Sequence, residues 1–227
     1  MPLPEHPLRA IVPIIHLKVA AKKILECLGT GFFVQDGLLM SAKHVLGVSL
    51  GEDERRAVPI ADEYGTVYLI GDVSTSQEFD IAVGRLDKPR QMEALSITRD
   101  YPPVNADILT VEYSGTTTSE AGTFFIPYHR KGHVIAVYLS QYPEPHPTEC
   151  LDLSFPALKG ASGAPVVVEA DGTVCGMIVA NVERHLLPAH LERVESADGA
   201  VEERRYFLPT GKAISWIHLR DFLTTTT

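Results

Sequence analysis

Glycine and proline punctuate this chain every several residues, 17 of one and 16 of the other in 227 positions. Both residues break helical runs, so intervals this short favour strands. Between the marks lie "GFFVQ", "GTVYLIG", "DIAVGRL", "DILTVEYSG", "HVIAVYL", "PVVVEADG" and "TVCGMIVAN". Val, Ile, Tyr and Phe dominate them, the residues that suit a pleated, half-buried backbone. So many short strands predict an all-β barrel or sandwich. Within "VVVEADGTVCG", Asp171 and Gly172 predict a tight hairpin, since Asp-Gly tolerates the positive φ such turns need.

One segment breaks the pattern. In "TGKAISWIHLRDFL", Ile214, Ile217, Leu219 and Phe222 recur at spacings near three and four, which predicts an amphipathic terminal helix followed by a frayed "TTTT" tail. "LKVAAKKILECL" fits a helix or a strand and turn equally, because Lys22 and Lys23 interrupt its apolar pattern. The charge-dense "HLLPAHLERVESADGAVEERR" predicts a long surface loop between the last strands. Pro102 and Pro103 in "ITRDYPPVNAD" mark a crossing between two halves, residues 1–100 and 101–227.

Composition narrows the partners. A net charge of −9 leaves no Lys/Arg excess to release counterions from phosphates, so nucleic acid is not an expected partner. The apolar run "LRAIVPIIHLKVAA" is broken by Pro13, His16 and Lys18, short of a membrane span of about 18 to 20 residues. Glu5, His6 and Arg9 precede any apolar segment, unlike a secretory signal. Three widely spaced cysteines, Cys27, Cys150 and Cys175, fit neither a disulfide scaffold nor a zinc ribbon and predict a reduced, cytoplasmic protein.

Ser162 sits in "FPALKGASGAPVVV" among glycines and alanines just before a β-branched run. A turn serine ahead of a strand would explain that alone. A hydroxyl becomes a nucleophile near neutral pH only with a base in hydrogen-bond reach and an anion that fixes the base's tautomer. Among nine histidines, His44 has the informative setting: "GTGFFVQDGLLMSAKHVL" places it where the second strand of a Gly-rich hairpin ends. Asp80 opens the apolar strand of "EFDIAVGRL", whereas Asp72 in "GDVS" and Asp87 in "RLDKPR" read as solvated loop acids.

These three stretches resemble the His, Asp and Ser motifs of the trypsin-like (chymotrypsin-fold) serine peptidases, in the same chain order. "LLMSAKHVL" is similar to the family's "TAAHVL", "DIAVGRL" to "DIALLKL", and "GASGAPVV" to "GNSGGPLV". The separations, 36 positions from His44 to Asp80 and 82 from Asp80 to Ser162, resemble the compact bacterial HtrA-type branch, without a PDZ domain. "YFLPTGKAISWI" is similar to the family's "FAIP" strand and terminal helix.

The resemblance implies two six-stranded antiparallel β-barrels, a short C-terminal helix and a cleft between the barrels. It implies His44 as general base and acid, Asp80 as its orienting carboxylate and Ser162 as nucleophile. The oxyanion hole would be the backbone N–H groups of Gly160 and Ser162. The pocket walls would be Pro156, Ala157 and Lys159 before the serine, Val179, Ala180 and Asn181 after it, and Tyr206 and Phe207 ahead of the last helix. No acid stands near Pro156, which predicts a small or medium apolar P1 residue. Ala161 occupies the position where secreted members hold an aspartate that pairs with a new N-terminus, so that activation route is not expected.

The resulting expectation is a serine endopeptidase acting on protein or peptide substrates, with a separate partner protein delivering substrate or controlling activity. The alternative is a silent member of the family that binds a chain without cutting it. No metal or cofactor is required. His129 and His133 have the i, i+4 spacing of a helical metal site, yet Gly132 and flanking strand-like runs predict a basic hairpin turn. His185 and His190 belong to the polar loop, and Cys175 reads as a small buried apolar residue.

Overall fold

A computed structural model of the chain describes residues 7–60, 66–88, 91–119, 122–141, 146–185, 191–195, 201–205 and 207–226. After a short 3-10 turn (Pro7–Ala10) come β1 (Ile11–Lys18), β2 (Lys23–Gln35), β3 (Leu38–Ser41), the one-turn helix α1 (Lys43–Leu46), β4 (Glu54–Pro59), β5 (Val67–Thr75) and β6 (Ala82–Leu86). These six strands close into an antiparallel barrel in the order β1-β2-β3-β6-β5-β4. Then follow β7 (Asp107–Ser119), β8 (Gly122–Ser140), β9 (Thr148–Leu153), β10 (Pro165–Val168), β11 (Val174–His185), β12 (Leu191–Glu195), β13 (Val201–Arg205), β14 (Phe207–Ser215) and helix α2 (Trp216–Thr226). A second closed barrel runs β10-β11-β14-β9-β8-β7. Closure pairs the edges that open sheets leave exposed.

The apolar runs explain the packing. β1 is buried at five successive positions from Ile11 to Ile15. Ile11, Val12 and Ile14 join a core with Phe32, Phe33 and Met40, while Ile15 and Leu17 join Ala57 in a second cluster against which Phe125 of β8 packs. β4 pairs with β1 only from Ile15 onward, so Pro13, which cannot donate to a ladder, lies where β1 has β2 alone beside it. The main core runs on through Val111, Val167, Met177 and Leu219 of the second half.

Several local expectations hold and others are corrected. Residues 19–22 turn between β1 and β2, deciding "LKVAAKKILECL" in favour of strand and turn. The hairpin at Gly172 forms, with φ +75 and Gly172 N–H donating to Val168 O at 2.9 Å. His129 and His133 lie inside β8, opposite Val111 and Asp107, and not in a hairpin turn. The expected surface loop contains the β12-β13 ribbon, in whose antiparallel register Glu192 is the partner of Arg204 and Arg193 of Glu203. The threonine tail is helical through Thr226, with Thr224 Oγ1 donating to Arg220 O and Thr226 Oγ1 to Phe222 O.

Between the barrels, chain crosses and touches both: Leu95 N–H donates to Phe33 O at 2.8 Å and Thr98 N–H to Val174 O at 2.9 Å. The tightest joint is Gly163. Its φ of +86 is a backbone conformation L side chains disfavour, and an added Cβ would fall inside Ser41 Oγ and Thr30 O. Gly163→Ala should therefore cost about 2–4 kcal/mol through strain and overpacking, lowering Tm by roughly 5–15 °C in a chain of this size. Thermal unfolding by circular dichroism checks it, and a Tm equal to the parent's would show the joint to be loose.

Candidate active site

Helix α1 is a single turn whose Val45 and Leu46 are buried. Burying that side leaves His44 facing outward, its side chain about half exposed. The Asp80 carboxylate meets it twice: Oδ1 accepts the His44 backbone N–H at 2.9 Å, and Oδ2 lies 2.6 Å from Nδ1. A carboxylate can only accept, so Nδ1 carries the proton and the Nε2 lone pair is free to take another. The bond to Asp80 raises the His44 pKa above its ordinary value of 6.5, against the opposing pull of burial.

Asp80 is held by its own loop. Ser76 N–H donates to Ile81 O at 2.9 Å, and Ser76 Oγ accepts the N–H groups of Glu78 and Phe79 at 3.2 and 3.1 Å. Lys43, the neighbour of His44, donates from Nζ to Ser76 O at 2.7 Å. On the far side the Phe79 ring lies 4.2 Å from the ring of His218 in α2. His218 Nε2 in turn accepts the Glu149 N–H at 2.9 Å, a role that needs neutral imidazole, and burial lowers its pKa accordingly.

Ser162 reaches the same place through its backbone. Its carbonyl accepts Thr30 N–H at 2.9 Å, and Thr30 Oγ1 donates to Gly160 O at 2.8 Å while accepting Tyr113 N–H at 3.0 Å. A Cβ on Gly29 would stand 2.8 Å from both Ser162 O and Val45 Cγ2, so the Ser162 turn and the helix carrying His44 meet over one glycine. Gly160 has φ +96, and a Cβ there would come within 2.5 Å of Tyr113 O. Among the described residues, the N–H groups of Gly160 and Ser162 have no acceptor, and no hydrogen bond joins Ser162 Oγ to His44.

The pocket residues fall into two groups. Pro156, Ala157 and Val179 are half-buried, whereas Lys159, Ala180 and Asn181 are exposed. Asn181 is bonded to Ala157 through both ends of its amide. Tyr206 lies outside the described residues, and Phe207 pairs with His185, farther along the ribbon than Asn181, whose partner is Gly211. Thr30, Ser76 and Gly211 were not singled out from the sequence. Thr30 stands between two glycines in the quoted "GTGFFV", a signal of close backbone approach; nothing marks Ser76 or Gly211 among other loop serines and strand glycines.

The family model described as the trypsin-like peptidase domain matches residues 29–177. In structure the chain is similar to the inactive form of a serine-to-alanine mutant of Rv3671c from Mycobacterium tuberculosis H37Rv, at 16% identity and a TM-score of 0.63, over 96% of this chain and 87% of that one. It is also similar to the active form of the Rv3671c protease from M. tuberculosis, at 18% identity and a TM-score of 0.59, over 92% of this chain and 77% of that one. At such identities the likeness is one of fold. No curated protein matches the chain by sequence. The matched span is more than half of the 227 residues and includes His44, Asp80 and Ser162; the chain belongs to the trypsin-like peptidase family.

Proposed function

We propose that this protein is a serine endopeptidase in which Ser162 attacks, His44 moves the proton and Asp80 holds His44 in the required tautomer. The observation that carries the reading is the double grip of Asp80 on His44, together with a Ser162 turn seated beside the same helix. Protease structures among its neighbours support it. Ser162 Oγ adds to the scissile carbonyl as Nε2 of His44 takes its proton, and the N–H groups of Gly160 and Ser162 receive the oxyanion. The protonated imidazole then gives its proton to the leaving amine. Water, activated by the same nitrogen, hydrolyses the acyl-enzyme and restores Ser162.

The bond between Ser162 Oγ and Nε2 belongs to the substrate complex on this reading, since catalytic contacts in free enzymes are often unformed. Its absence among the described residues is also the one observation favouring the competing reading, a binding module that holds a chain without cutting it. We place the peptidase in the cytoplasm, acting on protein or peptide substrates. Its three free cysteines support a reducing compartment: burial pushes the Cys27 thiol up to about 11 and Cys175 up to about 12, so neither is poised to react. A separate partner protein delivers substrate or triggers activity.

A fluorophosphonate probe should label the parent at Ser162, and Ser162→Ala or His44→Ala should abolish labelling. A parent that stays unlabelled with candidate activators present would favour the binding module instead.

The pH dependence has a definite sign. His44 works as a base only when neutral, so kcat/KM should rise with pH through an inflection above 6.5. Asp80→Asn should lower that inflection and reduce kcat by about 10³- to 10⁴-fold at neutral pH. Folding responds oppositely: a raised histidine pKa stabilises the native state fully below about 6.5 and ceases to do so as pH climbs through the folded value. Urea unfolding of parent and Asp80→Asn at acid and alkaline pH should show the larger gap at acid pH. An inflection that Asp80→Asn leaves in place would remove Asp80 from this role.

A further inference from the structure

Strand β7 carries a bulge beside the serine turn. Glu112 pairs with Tyr128 and Gly115 with Ile126, so Tyr113 and Ser114 together face the single residue Pro127 of β8. Proline has no N–H to give a ladder, and two residues set against one is how a sheet accommodates it. Gly160 lies directly on this bulge: a Cβ there would stand 2.5 Å from Tyr113 O and 3.0 Å from Ser114 Cα. The position of the bulge therefore sets the direction of the Gly160 N–H.

The bulge is pinned on both faces. On one, Tyr113 N–H donates to Thr30 Oγ1 at 3.0 Å and Tyr113 OH to Ile11 O at 3.2 Å, both in the first barrel. On the other, Glu112 follows Ile108 and Thr110 at every second position; Ile108 packs in the core of the second barrel, and Thr110 Oγ1 donates to Pro165 O at 2.7 Å. Glu112 is fully buried. Its Oε1 accepts Arg130 Nε–H at 2.7 Å and, more distantly, the Ser114 hydroxyl at 3.4 Å. Oε2 is buried with no hydrogen-bond partner among the described residues. One carboxylate oxygen thus ties the bulge residue Ser114 to β8.

A buried ion pair seldom stabilises a fold more than apolar residues of the same size would, and this one leaves an oxygen unsatisfied. Stability is a poor reason for a carboxylate at this place. We propose that Glu112 is a positioning residue for the oxyanion hole: with Arg130 it holds the bulge at Tyr113 and Ser114 against Gly160, and so aims the Gly160 N–H at the developing negative charge. The assignment rests on the peptidase reading and deepens it with a residue that acts only through the backbone it holds.

The test replaces both partners, Glu112→Met together with Arg130→Met, which removes the pair without stranding a charge; the chain should fold with a Tm close to the parent's. Reactivity is read with a fluorophosphonate, whose phosphoryl oxygen takes the place of the scissile carbonyl oxygen. Losing one oxyanion donor costs about 10²- to 10³-fold, so a donor misaimed should lower the maximal labelling rate by about tenfold or more, with the half-saturating probe concentration unchanged. Amide exchange followed by NMR should quicken at Tyr113 and Ala161, whose N–H groups bond to Thr30 Oγ1 and Leu158 O, and stay as in the parent at Leu95, bonded to Phe33 O. A folded double variant that labels at the parent's rate, or that changes only the half-saturating concentration, overturns the proposal and leaves the peptidase reading intact. A parent that never labels sinks that reading, and exchange then decides alone: faster at Tyr113 and Ala161 keeps Glu112 as the brace of the Gly160 turn, and unchanged overturns it as well. If the double variant does not fold, Glu112→Gln takes its place under the same outcomes, with a loss of about threefold or more because the charge-assisted bonds to its oxygen weaken.

Discussion

Thr30 is fully buried at the joint between the barrels, and each of its polar atoms is engaged there. Its N–H holds Ser162 O, its hydroxyl donates to Gly160 O and accepts from Tyr113 N–H, and its carbonyl accepts Ser41 Oγ at 2.7 Å. One residue of β2 therefore sets the position of the serine turn, of β7 and of the end of β3, from which His44 follows. In a dry interior an unsatisfied polar group costs about 1–3 kcal/mol, so losing any one partner penalises the rest. Gly29 lets the second barrel approach, since a Cβ there would stand 2.8 Å from Ser162 O, while Gly31 makes room inside the first barrel, where a Cβ would come within 2.9 Å of Ile14 Cδ1.

The chemistry inherits this arrangement. Helix α1 is too short to be stable alone; it persists because Val45 and Leu46 are buried and because Ala42 O accepts from both of their N–H groups. That leaves His44 on the open side with its backbone N–H pointed at Asp80. A carboxylate engaged by both a backbone N–H and the ring has little rotational freedom, which fixes the imidazole plane as well as its tautomer. Gly160, held at positive φ over Tyr113 O, gives the serine turn its shape from the other side.

How much was legible follows from range. Strands and the Gly172 hairpin are written locally, in β-branched runs and in Asp-Gly, and they appear where expected. His44, Asp80 and Ser162 could be picked out because each has a distinctive neighbourhood, but the bonds that assemble them could not. Ser76 reads as an ordinary loop serine until its Oγ is seen capping two N–H groups ahead of Asp80. The β12-β13 ribbon was missed for a different reason: its pattern lies across two strands in register, and no window along one strand contains it. The threonine tail was expected to fray as a chain end, whereas the helix runs through Thr226 and the threonine hydroxyls bond to carbonyls about one turn earlier.

The C-terminal helix completes the site rather than decorating it. Leu219 is fully buried in the core shared by both barrels, and Trp216 is nearly so, which fixes the face on which His218 stands. His218 is then trapped between the Phe79 ring and the Glu149 N–H. Phe79 is the residue before Asp80, so the last element of the chain braces the loop that orients His44, while Lys43 braces it from the opposite side. Asp80 thus owes its position to contacts drawn from residues 43, 76 and 218, and no fragment of either barrel contains them all. The long sequence separation of these contacts makes the site a product of the whole fold rather than of any local segment.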